Sequence, residues 1–294
     1  MVHFPISGVD TSWWLPVIVS FSIACFTSMG GVSGAFLLLP FQVSVLGFSG
    51  PAASATNLLY NVIAIPGGVY RFHRKKRIVW PLAAIIILAS LPSTFLGAVV
   101  RVRYLAGEHA FKIFAALFLL YIAGRLGMDV LRWGRKKEVR RSDGTFEIFC
   151  RSFNLRRIEY EFNDVSYSAS TWKLFAILFP FGVAAGVYGV GGGALVAPLL
   201  VAVFHLPVHS IAGATLLATF VSSLGGVMFY SGLSLFFSNA GPPIAPDWML
   251  GLLFGLGGAA GIHTGAWLQQ YVPAWIIELI LMAMTVFIAA TYLW

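Results

Sequence analysis

Charge is what this sequence has least of. Among 294 residues only 10% are charged and 59% are hydrophobic, where soluble domains carry about 25% charged residues. No Asp, Glu, Lys or Arg occurs over 11–70, 78–100 or 174–246. Such runs exclude a water-soluble fold and hold several crossings of about 20 residues each. A transmembrane β-barrel is excluded as well, because its short alternating segments are missing from these runs. Cysteine is scarce: Cys25 and Cys150 are far apart in sequence, which favours a buried apolar residue and a loop thiol over a disulfide or metal pair. Paired carboxylates and H-E-x-x-H are lacking from the apolar runs, so the chain does not read as an enzyme and no cofactor is expected. The first ten residues have neither the basic stretch nor the cleavage site of a signal peptide, and are expected to be retained.

The expected class is therefore an all-α polytopic membrane protein. Its net charge of +8 would suit nucleic acid, but the charge is in the wrong places for that. Five of the 19 Lys and Arg residues lie in RFHRKKR (71–77), ten lie between Arg132 and Lys173, and none follows Lys173. Basic clusters flanking apolar spans mark cytoplasmic loops. The plasma (inner) membrane is the expected location, with the lipid bilayer as partner and the basic linker 132–171 in the cytoplasm.

Glycine is where the sequence is rich. GVYGVGGGALVAP (186–198) puts five glycines into eight positions, and GVSGAFLLLP (31–40) is a weaker copy. About twenty residues downstream of each copy, ASAT (53–56) matches AGAT (212–215); then GGV (67–69) matches GGV (225–227), and Gly97-Ala98 matches Gly265-Ala266. The chain thus reads as a first transmembrane repeat (1–131), a linker (132–171) and a second repeat (172–294). Each repeat is a Gly-broken helical hairpin (13–46 and 172–204) followed by three transmembrane helices. The loop at 71–77 is basic, whereas its counterpart 231–247 has no Lys or Arg. Equivalent loops then lie on opposite sides, as in inverted-topology repeats. Parallel halves of simple spans are the alternative. The inverted layout puts Arg101 and Arg103 outside, against the charge rule. Within the linker, alternation over 146–164 predicts a small cytoplasmic two-stranded β-ribbon.

A dinucleotide fingerprint at GVGGGA fails, since the next acidic residue is Asp247 and the fingerprint needs one about 20 positions on. Backbone chemistry accounts for the glycines better. A helix broken at membrane depth must face protein or a hydrated cavity. Where it restarts, it offers unpaired N–H groups and a positive dipole end, which suit an anion. Five glycines in eight positions exceed what helix packing alone asks for. The candidate site is Gly31, Ser33 and Gly34 with Gly189, Gly191, Gly192 and Gly193, together with side chains from the following helices: Asn57 and Asn61, one turn apart on one face, and Thr215 and Thr219. The two threonines can instead bond their own helix carbonyls. Pro40 and Pro198 are expected to help break each segment. His263 within a span is a candidate proton exchanger, while Arg125, His209 and Glu278 read as interfacial.

The stretches GVYGVGGGALVAPLL and AGATLLATFVSSLGG resemble the sulfite exporter TauE/SafE family, strongly over 184–227 and more weakly over 28–69. In the first copy Ser33 and Ala35 stand where the family has a richer glycine run. The resemblance implies export of sulfite, sulfonates or related sulfur-containing anions. Together these readings lead to a secondary transporter of a small sulfur-containing oxoanion working by alternating access, with an ion gradient, a coupling ion or the membrane potential supplying the energy. An anion channel, or a transporter of a different small organic anion, is the alternative.

Overall fold

The computed structural model describes residues 1–29, 33–132, 148–154, 157–162, 165–193, 196, 199–200, 204, 208–237, 241–269, 271–272 and 274–293. A short hairpin, β1 (Val2–Phe4) and β2 (Val9–Thr11), precedes the helices of the first half: α1 (Trp14–Met29), α2 (Ala35–Ser44), α3 (Pro51–Ala64), α4 (Pro66–Arg74), α5 (Trp80–Arg103) and α6 (Glu108–Arg132). Strands β3 (Ile148–Asn154), β4 (Arg157–Phe162) and β5 (Val165–Ser170) form an antiparallel sheet in the order β3-β4-β5. The second half comprises α7 (Thr171–Tyr188), α8 (Val208–Phe237), α9 (Trp248–Leu268) and α10 (Ala274–Leu293). Five helices among the described residues are long and apolar enough to cross a membrane: Trp80–Arg103, Glu108–Met128, Thr171–Tyr188, Ile211–Phe236 and Trp248–Leu268. The chain is an all-α polytopic membrane protein with a small sheet in its linker. That sheet has a third strand beyond the expected ribbon, and Cys150 lies on β3 rather than in a loop.

Each break has a local cause. α1 has 16 residues, about 24 Å at 1.5 Å per residue, which is short of a bilayer core of about 30 Å. The chain resumes in α2 after the glycines at 30–34. Pro40 lies inside α2 and does not end it. Proline lacks the N–H that would bond the carbonyl four residues back, and Tyr188 Oη donates to that Phe36 carbonyl at 2.8 Å instead. α7 ends because Gly189 adopts a left-handed conformation (φ 82°), with its N–H bonded to Ala185 O at 2.8 Å. That is a glycine stop, since other residues pay for positive φ.

The halves exchange partners. The first helix of each half packs along the middle one of the three later spans of the other: α1 on α9, and α7 on α5. Small residues let them touch. Gly257, Gly261 and Gly265 meet Val17, Phe21 and Cys25 in turn, and Gly182 and Gly186 meet Ser93 and Thr94. These are small-xxx-small contacts. At the centre α8 runs antiparallel to α3 and α4: Gly213 lies against Arg77, Gly68 against Leu216, and Gly226 against Leu58. α6 pairs with α10 at the side. Leu88, Leu117, Met228, Leu256 and Phe287 remain exposed around this bundle, as a lipid-facing belt requires.

Candidate functional site

A cavity of about 460 Å³ opens where the two broken segments meet α3, α8 and α9. Its floor is formed by Ser33, Gly34, Tyr60, Asn61, Gly193 and Thr219, with Thr215 above them. Its walls carry Ile65, Phe72, Ala212, Leu216 and Ile262, and Arg71, Lys75 and Arg77 stand at the mouth with Gln269. Tyr60, Asn61, Thr215 and Thr219 are buried and Ser33 is half-buried, while Arg71, Lys75 and Gln269 are exposed, so a polar pocket sits below a basic vestibule.

Of the residues expected from the sequence, Ser33, Gly34, Asn61, Gly193, Thr215 and Thr219 line this cavity. Gly31 lies outside the described residues. Asn57, Gly189, Gly191 and Gly192 do not line it. Asn57 Nδ2 donates to Ala35 O at 2.8 Å and to Gly189 O at 3.0 Å, while its Oδ1 accepts from Gln42 Nε2 at 3.3 Å. It therefore ties both broken segments together. Asn61 does similar work beside the cavity: Nδ2 donates to Val190 O at 2.9 Å and to Ser223 Oγ at 3.3 Å, and Oδ1 accepts from Ser33 Oγ at 3.3 Å.

The glycines are fitted to their neighbours one by one. A Cβ on Gly189 would strike the Ser54 backbone, one on Gly191 would lie 2.5 Å from Ser223 Oγ, and one on Gly192 would strike Ser90. A Cβ on Gly193 would lie 2.5 Å from Thr219 N. Gly191 also has φ 79°. Close packing and backbone geometry thus demand these four glycines, which corrects the sequence argument that they exceed what packing needs. The bare helix start is not found either. In α2 the first amides are taken: Ala35 N bonds Ser33 Oγ at 3.4 Å, Phe36 N bonds Ser33 O at 3.4 Å, and the N–H groups of Leu37 and Leu38 bond Gly34 O. In the second half the Gly192 N–H donates to Ser222 Oγ at 3.0 Å, and the restart at 194–195 lies outside the described residues. Both threonines donate to their own helix: Thr215 to Ile211 O and Ala212 O, and Thr219 to Thr215 O.

Sequence reasoning passed over Tyr60, one position before Asn61, and read the 71–77 cluster as a topological signal alone. It put Arg101 on the outer side of the membrane and did not foresee its burial. Arg101 is fully buried, with its guanidinium over the Phe111 ring at 3.6 Å. Nε donates to Ser54 Oγ at 3.2 Å, and the other nitrogens donate to Ser49 O and Leu105 O. Ser54 Oγ in turn donates to Val187 O at 3.0 Å, so this knot joins the two halves. Arg103 is exposed. His263 is exposed and does not line the cavity, and nothing is described of the side chains of His209 and Glu278.

Residues 16–292 match the family model described as Sulfite exporter TauE/SafE. The chain belongs to the TauE/SafE family. Membership implies a transporter or exporter of sulfite or related sulfur compounds, embedded in a lipid bilayer and acting on a small anion. No curated protein and no solved structure matches the chain. For a TauE/SafE transporter the central cavity, where both broken segments converge, is the natural place to look for the substrate.

Proposed function

We propose that this TauE/SafE protein is a secondary transporter that exports a small sulfur-containing oxoanion by alternating access. The observation that carries the reading is the cavity itself, with a polar floor at the junction of both halves and a cationic mouth at Arg71, Lys75 and Arg77. The two halves are inverted copies. The antiparallel course of α8 against α3 and α4 supports this, as does the exchange of α1–α9 for α7–α5. The mouth faces the cytoplasm, as the basic loop requires, and this conformation is inward-open. The opposite side is held shut by the Arg101 knot. Cytoplasmic anions gather at the mouth by electrostatic focusing, and an inside-negative potential drives each exported charge with about 2.3 kcal/mol per 100 mV.

Ser33, Gly34, Asn61, Gly193, Thr215 and Thr219 surround the substrate in this reading. Asn57, Gly189, Gly191 and Gly192 lie behind this lining and hold the two segments together. A thermal-shift panel on the purified protein tests the proposal, using sulfite, thiosulfate, ethanesulfonate, taurine and chloride. Ligand that binds only the folded state stabilises it by about 2.7 kcal/mol at 100 times Kd. Selective stabilisation by a sulfur oxoanion is expected. Equal response to chloride and sulfur anions, or none to any anion, overturns the reading.

A further inference from the structure

Donors to an anion are in short supply at the cavity floor. Asn61 spends both Nδ2 hydrogens on Val190 O and Ser223 Oγ. Ser33 Oγ donates to Asn61 Oδ1, Ser28 Oγ to Cys25 O, and the two threonine hydroxyls to their own helix. A hydroxyl carries one proton, so none of these has one left. Tyr60 differs. It is 1% exposed, it lines the cavity, and among the described residues its Oη has no hydrogen-bond partner. The large majority of buried polar side-chain atoms in native proteins are bonded, and an orphan calls for an explanation; unlike Gln42 Oε1, Thr94 Oγ1 and Tyr230 Oη, this one borders the cavity.

The phenol is also held where it is. Its ring lies against Gly258 of α9, where a Cβ would clash with it. At its tip, Oη lies 2.6 Å from where a Cβ on Gly34 would sit. Glycine at both places therefore makes room for Tyr60 and fixes its hydroxyl beside Ser33 and Gly34. A side chain fitted this closely with its one polar atom unpaired is arranged for a partner that comes and goes.

We propose that Tyr60 Oη donates the direct hydrogen bond to an oxygen of the bound sulfur oxoanion, making Tyr60 a specificity-determining residue of the cavity. This rests on the transport reading above. The hydrogen bond joins a neutral donor to a charged acceptor, which is the stronger kind. It also supplies what the α2 amides, already paired, do not.

The test is titration calorimetry of ethanesulfonate and of sulfite against the wild type and Tyr60→Phe. The substitution removes one oxygen and keeps the ring between its two glycines, so the unliganded melting temperature is expected to stay unchanged. Affinity is expected to fall by about tenfold or more. A tyrosine difference signal in near-ultraviolet absorbance on saturation is expected in the wild type and not in the variant, a readout that a purely structural role would leave unmoved. Wild-type binding with no loss in Tyr60→Phe overturns the Tyr60 assignment and leaves the transporter reading standing. Binding of neither anion by the wild type overturns both. If Tyr60→Phe does not fold, saturating wild-type protein without a tyrosine difference signal overturns the assignment by itself.

Discussion

Replacing Asn57 separates two roles that its place in the sequence leaves open. In the structure Asn57 is fully buried and makes three hydrogen bonds, to Ala35 O, Gly189 O and Gln42 Nε2. None of them points into the cavity. Side-chain hydrogen bonds between membrane helices average about 0.6 kcal/mol and reach about 1.7, and a buried group left unsatisfied costs about 1–3 kcal/mol. Asn57→Ala loses all three bonds and leaves Gln42, whose Oε1 already lacks a partner, without its Asn57 contact. A destabilisation of about 2–3 kcal/mol follows. Reversible unfolding in bicelles measures it. For the protein that remains folded, the Kd for ethanesulfonate is expected to stay within about threefold, or roughly 0.6 kcal/mol. Stability unchanged within about 0.5 kcal/mol, together with lost binding, would refute this reasoning. Asn57 would then touch the substrate.

Other consequences can be measured in the same preparations. Gly191→Ala places a Cβ at φ 79° and against Ser223, and is expected to lower stability by about 1–3 kcal/mol; an unchanged unfolding curve would contradict the close-packing account. Arg71→Glu with Lys75→Glu is expected to slow anion uptake into the cavity and weaken its dependence on ionic strength, with the melting temperature unmoved, as stopped-flow binding would show. Arg101→Gln removes the cation that bonds Ser49 O and Leu105 O, and is expected to speed amide hydrogen exchange in the neighbouring turns of α3 and α5. Unaltered exchange would dismiss Arg101 as a closure.

Much of the architecture was legible because membrane constraints are blunt. Charge-free runs gave the spans, and length gave the break between α1 and α2. The third strand, VSYSAS, was missed although Val165, Tyr167 and Ala169 alternate with serines, because Ala169 adds little apolar weight and the short run leads straight into the apolar stretch of α7. The N-terminal hairpin has three residues per strand, too few for periodicity to register. It is pinned from afar by Asp247, which accepts from Ser7 and caps α9 through Leu250 N.

The site was only half legible. Asn57 and Asn61 share a face, yet the face alone does not say that Asn57 meets Gly189 while Asn61 borders the cavity. That depends on how the second half packs. Tyr60 in an apolar helix looks like packing, because composition does not reveal which hydroxyl lacks a partner. Arg101 near a helix end looks interfacial until Phe111 and two carbonyls are seen to enclose it. The glycines stand out by their number, but number does not reveal that Gly189, Gly191, Gly192 and Gly193 are each fitted to a particular neighbour.

The most direct test of the central claim is counterflow in proteoliposomes. Labelled ethanesulfonate outside and a large excess of unlabelled ethanesulfonate inside should produce saturable, transient accumulation of label, abolished when the protein is omitted. That is the behaviour of a carrier whose cavity faces one side at a time. Label that only equilibrates, with flux linear in concentration and accompanied by steady conductance, would contradict alternating access and make the cavity the vestibule of a channel.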